Sequence, residues 1–524
     1  MRPMAGAEPR ELTRRGALLL FLVFLAWPLL LVSNSGPAMA DSVLLAAMRL
    51  VDRGTWTLDD GSDPAMTFQT RAHDISVSGG RLYSGLGPGA TIAAVPVYAL
   101  LEPAFSLFDD GIITNRRVLE YYRGNARAFG MPPGDHFLAL YLLQIAMTWI
   151  LIAPLFAWFL LRLFRRLTEG ATGPPQALAV TLAAGFGSMA LCYASMYSRQ
   201  ALAYLLIWHA LLSLTGRVRP GPWIGAAAGA AAGLAVAVDY PSLILVAVAL
   251  PFPLLRLGAR GRIAVVAPLA ALLALTALYH FMIFGSPLAT PYHHRYWHTA
   301  GYLTQRGIDL AAFQAGPTAG VGLPDPSVML RLCFGNYKGI FLYSPVLLLG
   351  LIGNVAGARG AIRPRLHLMS LLIFACYLTF NSTLGSGMAA NAHHFWGGLS
   401  VLWGPRYLFA VIPFLAWGII RLDWKRPVVR VVTWTALAVS CLFNVSAALF
   451  SHIIIATPAF GPGLEAPLLL VMRLLATLGP RVPLLDVYGA PPMLQWGVIA
   501  GLLTGSVFAL RSVVSREAVA APGR

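Results

Sequence analysis

The chain has 524 residues, of which 57% are hydrophobic and only 11% are charged. Soluble proteins carry about 25% charged residues, so this composition excludes an ordinary soluble globular protein. The net charge is +17, but the basic residues form short clusters beside apolar runs. That distribution argues against a nucleic-acid partner and is typical of membrane topology signals and of contacts with anionic membrane lipids.

The first predicted span covers residues 16–34, and the basic segment 1–15 before it is predicted to lie in the cytoplasm. The same region also resembles a secretory signal peptide, because Ala38-Met39-Ala40 precedes Asp41. A retained span is favoured, since the apolar stretch is long for a signal peptide. Cleavage is the open alternative.

A long outer loop, 35–135, is predicted to follow. Residues 43–51 place apolar side chains at helical spacing, which predicts a helix on the membrane surface, with Met48 and Arg49 mostly off its apolar face. Its acids other than Asp41, among them Asp74, are interpreted as solvated turn residues.

The stretch 84–108 of this loop is apolar enough to suggest a second crossing. However, it contains Pro96 and Pro103, and a crossing there would put the later arginine clusters on the outside. We therefore predict a re-entrant or interfacial helix on the outer side.

Further apolar runs bounded by arginine clusters predict an all-α polytopic membrane protein with about 12 transmembrane helices. Residues 451–492 form another outer loop, within a C-terminal hairpin at 422–524. The remaining spans are near 136–160, 177–197, 200–215, 222–238, 242–255, 262–283, 340–357, 366–383, 406–421, 430–450 and 491–511.

Two more outer loops, 285–338 and 385–405, carry candidate binding residues. The first opens with "FGSPLATPYHHRYWHTAGY", which contains His293, His294 and Arg295. No acid or cysteine accompanies these histidines at metal-ligand spacing, so we expect no metal and no cofactor. A surface facing sugar and phosphate and a plain interfacial aromatic belt are both compatible with the pattern. The 4 cysteines are scattered and are interpreted as apolar side chains.

Three charged positions are candidates for chemistry. Asp41 lies just beyond the first span, where a carboxylate could act as a general base, although an acid at a helix start is also a good N-cap. Lys338 and Arg406 stand at the outer ends of two spans, against the usual charge bias. Each is interpreted either as a ligand for an anionic phosphate or as a snorkelling side chain. Asp239 is interpreted as a cap for the tight turn before Pro241.

The order of these features resembles the bacterial integral-membrane glycosyltransferases of the GT-C fold, in the branch related to protein mannosyltransferases and aminoarabinose transferases. The resemblance covers roughly residues 16–421 and rests on Asp41 after the first span and on "GRLYSGLGPG", "FGSPLATPY", "KGIFLYSPVLLLG" and "WGGLSVLWGPRYL".

The resemblance implies an inner-membrane enzyme that transfers a sugar from a polyprenyl-phosphate donor to an envelope glycan, lipid or protein on the outer face. It implies Asp41 as the catalytic carboxylate, Lys338 and Arg406 at the donor phosphate, and Tyr83 and Tyr407 near substrate. The reaction would be inverting and metal-independent.

Two departures from the family pattern stand out. Ser42 follows Asp41 where the family usually has Glu, and "YASMYSRQALAY" offers Arg199 and Gln200 where a second acid is common. A transporter or lipid flippase is the main alternative function, and a non-catalytic assembly factor is the third. Neither a convincing internal repeat nor a set of acids within spans, both typical of transporters, is evident.

Overall fold

The structure is a computed structural model. It describes residues 12–33, 37–58, 75–105, 136–169, 172–216, 220–294, 322–360, 364–384, 403–451, 466–487 and 489–519.

The described residues fold into a bundle of helices with a single small hairpin. Its helices are α1 (Arg14–Leu30), α2 (Pro37–Arg53), α3 (Pro88–Phe105), α4 (His136–Met147, continued by a π-helical segment at Thr148–Ile152 and by Ala153–Glu169), α5 (Pro174–Gly185), α6 (Ala190–Ala194), α7 (Arg199–Leu214), α8 (Pro222–Val238), α9 (Ser242–Ala249), α10 (Pro251–Leu254), α11 (Ala259–Phe284), α12 (Pro326–Phe334), α13 (Ile340–Tyr343), α14 (Pro345–Arg359), α15 (Pro364–Thr383), α16 (Ile412–Trp417), α17 (Pro427–Leu449), α18 (Pro467–Leu478), α19 (Pro483–Val487) and α20 (Pro492–Val519). Short 3₁₀ helices occur at Pro291–His294, Arg406–Val411 and Gly418–Arg421.

Within the described ranges, 5 helices are long and apolar enough to cross a membrane. A crossing needs about 20 apolar helical residues, so these helices support a membrane-embedded chain. The prediction of an all-α membrane protein is confirmed in this coarser form. Every predicted span contains helix, but the twelve crossings and the GT-C topology stay predictions. The five candidate spans are Leu142–Glu169, Ala259–Phe284, Pro364–Thr383, Pro427–Leu449 and Pro492–Ser515.

A two-stranded antiparallel hairpin, β1 (Ile75–Ser78) and β2 (Arg81–Ser84), precedes α3. This hairpin was not predicted from the sequence. Gly79 and Gly80 form its turn with φ of 56° and 73°, a backbone conformation that glycine adopts without strain. The predicted helix at 84–108 therefore begins only at Pro88.

Helix α2 is buried rather than lying on a surface. Residues 42–49 are all buried, including Met48 and Arg49, because α3 and β2 pack against this helix. The Thr91 hydroxyl of α3 donates to the Val43 carbonyl at 3.2 Å. Met48 and Arg49, which were predicted to lie off the apolar face, are therefore covered by protein, and Asp52 and Arg53 at the end of the helix are exposed. A position at the membrane surface stays a prediction.

Hydrogen bonds between helix ends define two ends of the bundle. At one end, Ser33 after α1 bonds to the Ser195 carbonyl before α7, and Ser451 after α17 bonds to Ser33. At the other end, Arg162 of α4 donates to Ser213 near the end of α7. We name these the Asp239 end and the Arg162 end.

Candidate functional site

A buried ion pair lies at the Asp239 end, between the start of α7 and the end of α8. Arg199 Nε is 3.5 Å from Asp239 Oδ1, and the two side chains are only 5% and 0% exposed. Gln200 Nε2 donates to the same carboxylate oxygen at 3.3 Å. The turn after α8 is closed by the Asp239 backbone carbonyl, which accepts from the Ser242 amide. Asp239 therefore does cap this turn, as the C-cap of α8 and through its backbone, while its side chain forms the ion pair.

The position of this ion pair opposes the helix dipoles. Arg199 is the first residue of α7, and Asp239 is the C-cap of α8. Cations are disfavoured at helix N-termini and anions at C-termini, typically by about 0.3–1 kcal/mol. Neither charge is therefore stabilised by the dipole of its own helix. The two side chains are held in place by each other and by their surroundings.

Arg406 is the second buried cation of this region. It begins the 3₁₀ helix Arg406–Val411 and is 9% exposed. Its guanidinium lies over the ring of Tyr407, with Cζ 4.9 Å from the centroid, and donates to the Tyr407 hydroxyl at 3.2 Å. Its Nε has no hydrogen-bond partner within the described chain. Arg406 is close enough to Asp239 and Arg199 for their charges to interact.

Lys338 is the third buried cation, in the turn between α12 and α13. It is 4% exposed, and its amine lies 5.2 Å from the centroid of the Tyr337 ring. The Tyr343 hydroxyl fastens this turn by donating to the carbonyls of Asn336 and Tyr337, at 2.6 and 2.9 Å. Burial, with a further contribution from the charge of Arg406, lowers the pKa of Lys338 well below its usual range.

Arg199, Gln200, Asp239, Lys338, Arg406 and Tyr407 lie together at the Asp239 end, and we call them the polar cluster. As far as the described residues go, it brings three cations and one carboxylate into a region screened from water. Lys338 and Arg406, which the sequence singled out separately, lie near enough to interact. Buried cations are costly unless an anion meets them, and Arg406 Nε has no hydrogen-bond partner within the described chain, so the arrangement around Arg406 suits an anionic ligand.

Asp41 lies in the first turns of α2, and its side chain is outside the described part of the chain. The next residue, Ser42, is hydrogen-bonded to Ser84 at 3.1 Å, immediately before the loop that starts α3. That loop contacts the end of α8: Gly87 and Gly89 pack on the backbone of residues 237–238. The start of α2 and the polar cluster are therefore joined by one continuous set of contacts.

We predict that Gly89→Ala destabilises the protein. A Cβ at this position would lie 2.6 Å from the Val238 amide nitrogen, which a neighbouring backbone cannot easily avoid. Overpacking of this kind costs about 1–3 kcal/mol, and a lower midpoint in a thermal unfolding assay should reveal it. Gly501→Ala is the matched control, because a Cβ there meets nothing within 4 Å. Equal stability of the two variants would contradict this close approach.

The remaining predicted site residues form a second group at the end of α11. Tyr83 packs edge-on against Phe284, with centroids 6.2 Å apart, and His294 stacks on the same ring at 4.7 Å. His293 is exposed, and its Nδ1 is 2.9 Å from the Thr290 hydroxyl. Arg295 lies outside the described residues. Tyr83 and His294 therefore pack against Phe284 rather than against the three cations.

Tyr240 links the two groups. It follows Asp239 directly, and its hydroxyl is 2.7 Å from His280 Nε2 on α11. Its ring also packs edge-on against Tyr292, with centroids 5.8 Å apart. Both groups of predicted residues therefore lie at the same end of the bundle.

Sequence reasoning did not identify Arg199 and Asp239 as partners. It noted Arg199 only as a departure from a family pattern and Asp239 only as a cap. A usable signal existed, because both charges stand beside apolar runs and both oppose a helix dipole. An isolated charge in that position predicts a partner of opposite sign.

No family model, curated protein or solved structure matches this chain.

Proposed function

We propose that this protein is a membrane glycosyltransferase that moves a sugar from a polyprenyl-phosphate donor to an envelope acceptor, in a site at the Asp239 end. Arg406 is the main support for this proposal. The Arg406 guanidinium is 9% exposed, donates to the Tyr407 hydroxyl, and has no hydrogen-bond partner for its Nε within the described chain. Arginine binds phosphate through paired hydrogen bonds, so a phosphate is the ligand that this geometry fits best.

Lys338 supports the same ligand. Its pKa is lowered by burial and by the charge of Arg406, both of which disfavour the charged form. A bound phosphate would favour the ammonium form again. Lys338 and Arg406 together would then neutralise the phosphate as it leaves.

The distribution of the other charges supports an outward-facing site. Arginines at the ends of α4, α14 and α15 gather at the Arg162 end, opposite the polar cluster. Short basic segments tend to remain in the cytoplasm. We therefore place the Arg162 end in the cytoplasm of a bacterial inner membrane and the polar cluster on the outer side. The arginines include Arg162, Arg165, Arg166, Arg359 and Arg365.

The proposed reaction is a single displacement at the anomeric carbon. The acceptor hydroxyl oxygen attacks that carbon while the Asp41 carboxylate takes the hydroxyl proton. The bond between the anomeric carbon and the donor phosphate oxygen breaks, and the electron pair stays on the phosphate. Lys338 and Arg406 stabilise that developing charge in a partly dry site, and the sugar's configuration inverts.

We predict that Arg406→Ala weakens binding of undecaprenyl phosphate by about 30-fold or more, since loss of a buried charged contact costs about 2–5 kcal/mol. Binding is measured on the purified protein in detergent by native mass spectrometry. Arg406→Lys should retain part of the affinity because it keeps the charge but not the paired donors. Arg426→Ala should bind normally, since that side chain is 74% exposed.

Unchanged binding by Arg406→Ala would overturn the phosphate role. A transporter or flippase would instead move a labelled polyprenyl lipid across a liposome membrane without transferring its sugar. Transfer assays with a panel of polyprenyl-phosphate hexoses and pentoses, run on the same preparation, separate these two functions.

A further inference from the structure

A cavity of about 520 Å³ opens at the Arg162 end, away from the polar cluster. It lies among α4, α7, α10, α15 and α16, and its volume is within the range of about 300–1,000 Å³ that is usual for ligand pockets. Most of its wall is apolar. Phe159, Trp208, Met369 and Phe414 are among the side chains that form it.

Charged side chains line the same cavity. They are Arg166, Arg256, Arg365 and Glu169, which together carry a net positive charge. Arg166 is paired with Glu169 at 3.0 Å and also donates to the Leu212 carbonyl. Arg256 and Arg365 are exposed, and the described residues give neither side chain a hydrogen bond or an ion pair. Two arginines therefore remain available beside an apolar space.

The cavity lies beside the ends of two candidate membrane spans. Two of its walls, α4 and α15, belong to candidate membrane spans. The cavity follows α4 from Phe159 to Glu169, which is the last residue of that helix. At 1.5 Å per residue this distance is about 15 Å, so the apolar part reaches well into the span.

We propose that this cavity binds an anionic glycerophospholipid of the surrounding bilayer. An acyl chain would fill the apolar part, and the headgroup phosphate would lie at Arg256 and Arg365. The apolar wall excludes a purely polar ligand from most of the volume, and the positive rim favours an anionic headgroup over a zwitterionic one. The site is separate from the proposed sugar-transfer site, at the opposite end of the bundle.

The test compares binding of phosphatidylglycerol and phosphatidylcholine with identical acyl chains to the full-length protein in detergent, by native mass spectrometry. We expect phosphatidylglycerol to bind more tightly. Changing Arg256 and Arg365 together to Ala should reduce its affinity by about 30-fold, since each basic residue near an anionic headgroup contributes about fivefold. Phosphatidylglycerol with six-carbon chains should bind more weakly than the long-chain lipid, because it leaves the cavity partly empty.

The control is the double variant Arg260→Ala, Arg359→Ala. It removes the same charge from exposed side chains at the same end, outside the cavity wall, and should bind lipid normally. Equal loss in both double variants would show a diffuse surface attraction and would overturn the proposal. Equal affinity for phosphatidylglycerol and phosphatidylcholine would also overturn the proposal. The same holds if soluble glycerol phosphate competes for the site as well as the lipid does. No sugar transfer is measured, so the result does not depend on the proposed function.

Discussion

Asp41→Asn should abolish most sugar transfer while leaving the protein folded. A general base typically contributes about 10²–10⁴-fold to the rate, and Asn cannot accept the acceptor's proton. Because α2 begins at Pro37, Asp41 lies inside the helix and is not its N-cap as the sequence had suggested. Asn and Asp have similar helix propensities, so α2 should be retained. The measurement is the initial rate of transfer from a polyprenyl-phosphate sugar, together with the thermal unfolding midpoint of the same preparation.

Asp52→Asn provides the matched control on the same helix. Its carboxylate is exposed and accepts a hydrogen bond from the Tyr98 hydroxyl at 3.2 Å, which an amide oxygen can also accept. We expect this variant to transfer sugar at close to the normal rate. If Asp41→Asn retains transfer, Asp41 is not the base, and Asp74 of the same loop becomes the next base to test.

The helical content of this chain could be predicted because it depends on local signals. Apolar runs of span length and the arginines at their ends located helices such as α8 and α11 to within a few residues. The hairpin before α3 was also a local feature. Its Gly-Gly turn between alternating residues was a readable signal that the apolar stretch at 84–108 obscured.

The burial of α2 could not be predicted in the same way. Its apolar spacing indicated one buried face, as for a helix on a membrane surface. The other sides are covered by α3 and β2, whose approach depends on Gly87 and Gly89 meeting the end of α8. That contact joins residues far apart in sequence. The burial of Arg49 therefore depends on long-range packing and could not be predicted from the residues next to it in the chain.

The same distinction between local and long-range signals applies to the candidate site. Lys338 and Arg406 were singled out because each cation opposes the charge bias of its own span, which is a local property. Their proximity to each other, and the pairing of Arg199 with Asp239, require the helix ends to be assembled. The sequence therefore predicted individual charges, and only the fold shows which of them share a site.

The ion pair between Arg199 and Asp239 should be the strongest energetic coupling at this site. Removing one member of a buried pair typically costs about 3–5 kcal/mol, because the other charge stays buried. We therefore expect Asp239→Asn to lower the free energy of unfolding by about that amount. Exposed pairs contribute about 0–1 kcal/mol, so Asp423→Asn, which breaks an exposed pair of 3.0 Å, is the control.

A double variant separates this coupling from a simple loss of packing. If Asp239 matters because it neutralises Arg199, then Arg199→Gln should relieve part of the damage done by Asp239→Asn. The double variant would then be more stable than Asp239→Asn alone, although both positions have been changed. Thermal or denaturant unfolding of the wild type, both single variants and the double variant gives the coupling free energy directly. A double variant that is less stable than either single variant, by the sum of their losses, would show that the two side chains act independently despite the 3.5 Å between them.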